Sequence, residues 1–299
     1  MPPNDKYGLY PGPVRYHVDQ VPLEYSQYGK RSYNNKGEGE CWVVGAKHDM
    51  TKRQQSLQLC YRADVPEDEP LVDGHGQHVK PSIIFRGKPR IDKNGKINSR
   101  LPHCNSAARI EEMRQYDPSV NVYWDPKAMA GPSVTNDWFD DFDEQTRGGV
   151  GVNRKRRLLG LDNWGPQKAP PFQRKAKRRK VKLAYTPEEC TDLCAVTDDG
   201  LGNEIKRRMV KYYKDDLCSS DARLEQWKNG KVPVSERRIL ATQWLGRAWK
   251  NYCKDHQAEI TKAFKHCGMY NAIDGSETHL IRLRKWADYK APAKDDNAE

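Results

Sequence analysis

Hydrophobic and polar positions along this chain follow two different periods. Up to about residue 185 the apolar residues alternate or form short runs. After residue 200 they recur every fourth position. Residues 14–19 (VRYHVD) alternate apolar and polar, the pattern of a half-buried strand, and the strand is expected to end at Gln20-Val21-Pro22. Residues 41–46 and 56–61 read as two more short strands, and the polar stretch 47–54 between them reads as a hairpin loop. Residues 64–80 are acidic and rich in Pro and Gly, which predicts a loop. Residues 82–85 (SIIF) form a short buried strand closed by Gly87-Lys88-Pro89. Residues 90–120 are polar and weakly patterned.

Trp138, Phe139 and Phe142 stand at helical spacing among Asp137, Asp140, Asp141, Asp143 and Glu144, which predicts an amphipathic helix with an acidic outer face. The apolar run at 157–161 is closed by Asp162 and then by a turn at Gly165-Pro166. Residues 181–185 form one more strand before Pro187. In the C-terminal third, Ile205, Met209, Tyr213 and Leu217 share one helix face, and Leu240, Trp244, Ala248 and Tyr252 share another. A third helix, over 258–267, stops at Gly268, a suitable residue after a helix C-terminus. Strands, a helix, strands and then helices, without repeats or heptads, predict an α/β fold.

Charge sharpens this picture. The 299 residues carry 52 Lys and Arg against 41 Asp and Glu, a net +11. Residues 151–182 hold twelve of the basic residues and one acid, Asp162. The remaining 267 residues carry 40 of each sign. A local basic block of this kind points to a polyanion, nucleic acid first, or to a nuclear-import signal. No run of apolar residues reaches the length of a membrane span, and residues 1–19 lack the apolar core of a secretory signal. The eight cysteines therefore read as reduced thiols.

Three acids occupy unusual places. Asp19 is expected to close the first strand and Asp162 closes the strand at 157–161. Asp198 and Asp199 fall at the start of the first C-terminal helix. A carboxylate at the end of a buried strand is costly unless it is paired or bound to a metal. Hard cations such as Mg²⁺ take oxygen ligands of this kind. Spacing alone also admits simple capping or surface acids.

The words around these acids carry a resemblance. They are Val18-Asp19-Gln20-Val21-Pro22-Leu23, Ile83-Ile84-Phe85-Arg86-Gly87-Lys88, Trp138-Phe139 through Phe142, Leu159-Gly160-Leu161-Asp162-Asn163, Thr191-Asp192-Leu193 through Thr197-Asp198-Asp199-Gly200, and Cys267-Gly268 with Asn271-Ala272-Ile273-Asp274-Gly275-Ser276-Glu277. In this order they resemble the catalytic domain of DDE transposases of the pogo, jerky and centromere-protein-B-like branch of the mariner superfamily, over about residues 14–283. The resemblance implies an RNase H-like mixed sheet flanked by helices, with a helical C-terminal extension. It divides the chain into an irregular lead at 1–13, a catalytic domain at 14–217, the extension at 218–290 and a disordered tail at 291–299. It places Asp19 on the first strand, Asp162 just after the fourth and Asp198 on the helix after the fifth. Asp199 remains an alternative third acid, because a helical step of about 100° lets only one of the two neighbours face a common site.

The implied chemistry is DNA strand cleavage and transfer by two Mg²⁺ or Mn²⁺ ions held by Asp19, Asp162 and Asp198 or Asp199. The basic residues Lys168, Arg174, Lys175, Lys177, Arg178, Arg179, Lys180 and Lys182 join the second acid to the next strand and are expected to contact the DNA backbone. Residues 174–182 (RKAKRRKVK) also suit a nuclear-localisation signal, which makes the nucleus the expected location. A homodimer is admitted as an assembly, and no membrane or nucleotide cofactor is expected. The chain departs from the family's words at Gln167, where a His is common, and at Ala195-Val196-Thr197 before the third acid. It also begins a few residues before the first catalytic strand, which leaves no room ahead of it for the helix-turn-helix modules of active members. These departures support an alternative: a catalytically inactive nucleic-acid-binding remnant. A weaker third reading is a protein-interaction scaffold built on the acidic helix at 137–144.

Other constellations weigh less. His75, His78, His103 and Cys104 fit no zinc spacing, and Cys190 and Cys194 lack a matching second pair. Trp244, Trp249, Tyr212 and Tyr213 are placed for a core rather than for base stacking. No phosphate-binding loop of the P-loop type is present.

Overall fold

The computed structural model describes residues 6–10, 14–23, 55–65, 78–148, 155–188, 190–217, 219–283, 286 and 288–290. The expected strand at 41–46, its hairpin loop at 47–54, His75, Arg154, most of the loop at 64–80 and the tail at 291–299 lie outside the described residues.

Six strands form one mixed sheet: β1 (Arg15–Leu23), β2 (Gln55–Arg62), β3 (Ser82–Arg86), β6 (Asn121–Asp125), β7 (Arg157–Leu161) and β8 (Val181–Tyr185). Their order across the sheet is β6-β3-β2-β1-β7-β8. β2 runs antiparallel to β1 and β3, while β1 with β7, β7 with β8, and β3 with β6 are parallel pairs. Five strands therefore point one way and β2 the other, the RNase H-like arrangement expected, with β6 as an edge strand that the sequence pattern did not show. A two-stranded hairpin, β4 (Pro89–Ile91) and β5 (Ile97–Pro102), stands apart from this sheet.

Alternation along β1 divides the core in two. Tyr16 and Val18 face a cluster with Trp138, Phe139 and Phe142 of helix α2 (Pro132–Thr146) and Phe172 of helix α4 (Pro170–Arg178), which follows the short helix α3 (Gly165–Lys168). Val21 and Leu23 face the opposite cluster. There, beyond the short helix α5 (Thr191–Cys194), they meet helices α6 (Leu201–Leu217), α8 (Val234–Asp255) and α9 (Gln257–His266). Ile205, Met209, Tyr213 and Leu217 are all buried, as are Trp244, Ala248 and Tyr252, so the four-residue recurrence did mark core faces. Tyr212 and Trp249 are buried too. Trp227 of helix α7 (Asp221–Lys228) enters this core and packs against Tyr213 and Trp244. Helix α9 ends where expected, with Gly268 at φ +71° just beyond it.

Three sequence expectations change. β1 does not end at Asp19; it continues to Leu23, so Asp19 sits within a strand. Pro22 is tolerated because β7 pairs with β1 only over Arg15–His17, leaving one side of β1 without a ladder neighbour at Pro22 among the described residues. The polar region 90–120 holds the β4–β5 hairpin and helix α1 (Ala107–Arg114), which is capped by the Ser106 hydroxyl. The acids of α2 do not form a solvated face: Asp143 is 1 % exposed and Asp137 9 %. Each is held by cations or hydrogen-bond donors from neighbouring elements, which removes the cost of burying its charge.

Candidate active site

The pairing of β1 with β7 brings two of the three acids together. His17 lies opposite Gly160 in the parallel register, so two residues further on Asp19 is level with Asp162, the first residue past β7. Both line one cavity of about 170 Å³, with Gln20, Gln58, Trp164 and Gln167 among its walls. The cavity opens at the carboxyl ends of the five parallel strands. Ligands commonly bind there in open α/β sheets, because loops rather than ladder partners follow the strands.

Local hydrogen bonds fix this end. Asp19 Oδ1 accepts from the Gln20 N–H at 2.6 Å, and Asp162 Oδ1 accepts from the Asn163 N–H at 2.6 Å. The Ala130 N–H donates to Gln20 Oε1 at 2.8 Å, and Trp164 Nε1 donates to the Ala130 carbonyl at 2.8 Å. The turn before α2 is thereby tied to both acid-bearing segments. Asn163 donates to the Thr186 carbonyl, which ties the segment after Asp162 to the end of β8.

Asp198 ends a 3-10 turn, Val196–Asp198, that packs against β1. The close approach depends on Gly202 at the start of α6. A Cβ there would lie 3.1 Å from both Val21 Cγ2 and Thr197 Cγ2. Asp199 faces elsewhere: its Oδ2 meets His266 Nδ1 at 3.0 Å, at the end of α9. Of the two neighbouring acids, Asp198 is the one that acts electrostatically on Asp19.

Burial, first, and the negative charges of Asp198 and Asp162 push the Asp19 carboxyl up to about 7, against the opposing pull of the Gln20 N–H. His17, two residues earlier on the same strand face, is buried, and neither ring nitrogen has a partner. Burial pushes its pKa down to about 4 against the attraction of Asp162, so it is neutral near pH 7 and adds no positive charge to the acids.

The donor set fits a hard divalent cation. Asp19 and Asp162 present carboxylate oxygens to one cavity, and Gln167 Oε1, buried without a hydrogen-bond partner, belongs to the same wall. Among the described residues, no three His, Cys, Asp or Glu side chains lie close enough to enclose a metal ion by themselves. His78, which fits no zinc spacing in the sequence, is committed elsewhere: it accepts from the Arg62 N–H at 3.0 Å and meets Gln257 Oε1 at 2.7 Å.

A DDE superfamily endonuclease family model matches residues 72–264. The chain belongs to the DDE superfamily of endonucleases. The match includes Asp162 and Asp198, and Asp19 lies ahead of it on the strand that pairs with β7. No curated protein matches the chain. Members of this superfamily typically use divalent metals.

In this DDE endonuclease domain the basic segment divides into two groups. Lys175 Nζ meets Asp140 at 2.9 Å, and Arg179 meets Asp140 at 2.6 Å and Asp143 at 3.1 Å. These two residues dock α4 on α2. Lys168 pairs with Glu188 at 2.9 Å on the surface. Arg174, Lys177, Arg178 and Lys182 are exposed and form no ion pair among the described residues. Lys180 is exposed at φ +55°, in the turn between α4 and β8.

Sequence reasoning missed Gln20, Gln58 and Trp164 as cavity walls. Gln20 and Trp164 adjoin the acids within two residues, a proximity signal. Gln58 comes from β2, and only the sheet order brings it there.

Proposed function

We propose that this domain cleaves and transfers DNA strands with divalent cations, two Mg²⁺ or Mn²⁺ ions, held by Asp19, Asp162 and Asp198. The observation that carries the reading is the placement of Asp19 level with Asp162 on adjacent parallel strands, both facing one cavity. When bound, such cations activate an attacking water or 3′-hydroxyl and stabilise the leaving oxygen. Asp19 and Asp162 supply hard oxygen donors from fixed backbone positions. Asp198 adds negative charge from the 3-10 turn, and Trp164 and Gln167 form one wall of the cavity. Arg174, Lys177, Arg178 and Lys182 give the DNA backbone an unneutralised positive surface, which favours binding without sequence preference. A nuclear location, through residues 174–182, and a homodimer go with this reading.

The test is nicking of supercoiled plasmid by the purified chain with Mg²⁺ or Mn²⁺. Asp162→Asn removes the activity while leaving the folded structure in place. Equal nicking by the variant refutes the assignment.

A second reading, a fold that binds DNA without cutting it, is favoured by Gln167 where the family commonly has His, and by the lack of three converging ligands among the described residues. Calorimetric titration with Mn²⁺ separates the two. Binding that disappears in Asp19→Asn and Asp162→Asn supports the catalytic site, and no binding in the parent chain supports the remnant.

A further inference from the structure

Outside the basic segment 151–182, the end of β3 and the β4–β5 hairpin form a strongly positive stretch. Residues 86–100 contain six cations and one acid. That acid, Asp92, is engaged in the turn, where its Oδ1 accepts from the N–H groups of Asn94 at 2.8 Å and Lys96 at 2.9 Å. Arg100 is engaged at the base, against Asp137 at 3.2 Å and Asp141 at 2.8 Å. The other five cations, Arg86, Lys88, Arg90, Lys93 and Lys96, form no ion pair among the described residues, and all but Arg90 are exposed. Arg90 donates to the neutral Asn105 side chain and keeps its charge. Beside these cations the cross-strand pair Ile91 and Ile97 is 56 % and 42 % exposed.

The hairpin is also firmly held. Ser99 donates to Asp137 through its N–H at 2.7 Å and its hydroxyl at 2.6 Å, and Arg100 reaches the next turn of α2 at Asp141. Asp140 and Asp143 of the same helix hold Lys175 and Arg179 of α4. Helix α2 thus mounts two positive arms. One lies beside β8, at one edge of the sheet, and the other beside β6, at the opposite edge; the acid-bearing strands β1 and β7 lie between.

We propose that the β4–β5 hairpin is a second contact surface for duplex DNA. The inference rests on the nuclease reading above and adds to it the face that supports DNA away from the acids. A two-stranded ribbon is narrow enough to enter the major groove of B-form DNA, and lysines on flexible stems reach phosphates on either side of it. The exposed Ile91–Ile97 pair supplies apolar contact to sugar or base edges at the same place. Three uncompensated cations on the hairpin, with Arg86 and Lys88 at its base, repel one another; a polyanion gives them a partner.

The experiment measures binding of the full chain to a labelled mixed-sequence duplex, by fluorescence anisotropy, across a salt series. The triple variant Lys88→Gln, Lys93→Gln, Lys96→Gln is expected to bind about tenfold more weakly and to show a salt slope shallower by about 0.9 for each phosphate it no longer neutralises. The matched variant Lys88→Arg, Lys93→Arg, Lys96→Arg keeps both affinity and slope, and both variants keep the parent's thermal midpoint. An unchanged slope in the glutamine variant, with the parent binding duplex normally, overturns the hairpin surface and leaves the nuclease reading intact. A parent chain that binds no duplex at low salt overturns the reading itself. Preference for single-stranded RNA over duplex DNA overturns the assignment of the partner.

Discussion

Arg157 and Asp143 form an ion pair at 2.8 Å with both side chains withdrawn from solvent, 0 % and 2 % exposed. The pair joins the first residue of β7 to the last turns of α2. Arg157 also donates to the Thr146 hydroxyl at 2.9 Å and to the Arg179 carbonyl, so most of its donors have acceptors. Arg179 reaches the other oxygen of Asp143 at 3.1 Å. One buried carboxylate therefore sets the position of the strand that leads into Asp162 and of the helix that carries the basic surface.

Removing one member of a buried pair leaves an uncompensated charge and typically costs about 3–5 kcal/mol, while replacing both by apolar groups is often neutral. Asp143→Ala is expected to destabilise the domain by about 3–5 kcal/mol, and the double variant Arg157→Met, Asp143→Leu to recover much of that. Urea denaturation measures both. A destabilisation below about 1 kcal/mol for the single variant shows that the pair does not organise this junction.

The third acid can be assigned by substitution. Asp199 is engaged with His266, while Asp198 contributes to the field at Asp19. Asp198→Asn is expected to lower metal-dependent nicking by a factor of roughly 10²–10³, the loss of several kcal/mol of charge stabilisation. Asp199→Asn is expected to keep activity within about tenfold, because it changes a supporting contact. The reverse ranking in a plasmid-nicking assay reassigns the ligand to Asp199.

His78 gives a pH dependence with a definite sign. Burial pushes its pKa down to about 4, opposed by the Gln257 side chain and aided by the Arg62 charge. The folded state thus holds the ring neutral, with Nδ1 accepting the Arg62 N–H, while the unfolded chain protonates near the ordinary 6.5. Stability from this group is fully present above pH 6.5 and is lost as pH falls toward 4. Asp19, pushed up to about 7, acts in the opposite sense between its ordinary 3.8 and 7, so the contribution of His78 is read as a difference. The gap in thermal midpoint between the parent chain and His78→Gln should narrow from about pH 7 to about pH 4.5. A constant gap excludes a buried neutral His78.

Much of the fold was legible in the sequence because short apolar runs mark the sheet strands and the later helices each bury one face. The runs at 157–161 and 181–185 became β7 and β8, and the every-fourth-residue faces became α6 and α8. β6 escaped because Tyr123 and Trp124 are both buried, one on each face of the sheet, which erases alternation. The β4–β5 hairpin escaped because it packs outside the sheet and exposes its apolar pair, although Asn94-Gly95 is a recognisable turn signal. Asp19 and Asp162 were visible through the words around them, but their convergence depends on the β1–β7 register, which no local pattern contains. The even charge count outside 151–182 concealed the hairpin's cations, because a sum over 267 residues averages over surfaces that never meet.

The basic helix offers the last prediction, since charge alone did not separate its two kinds of cation. Lys175 and Arg179 are partly buried against Asp140 and Asp143, and their charge is already met by protein. Arg174, Lys177 and Arg178 point outward without ion pairs among the described residues. Neutralising the outward set, Arg174→Gln with Lys177→Gln and Arg178→Gln, is expected to leave the thermal midpoint within a few degrees. It should make the salt dependence of duplex binding shallower by up to about 2.7 units of slope, about 0.9 for each of three phosphates. Lys175→Gln is expected to do the opposite: it loosens α4 from α2 and lowers the midpoint, while the slope changes little. Equal effects of the two variants on the slope would mean that the contacts with Asp140 open when DNA binds, and that all of the segment's cations then face the phosphates.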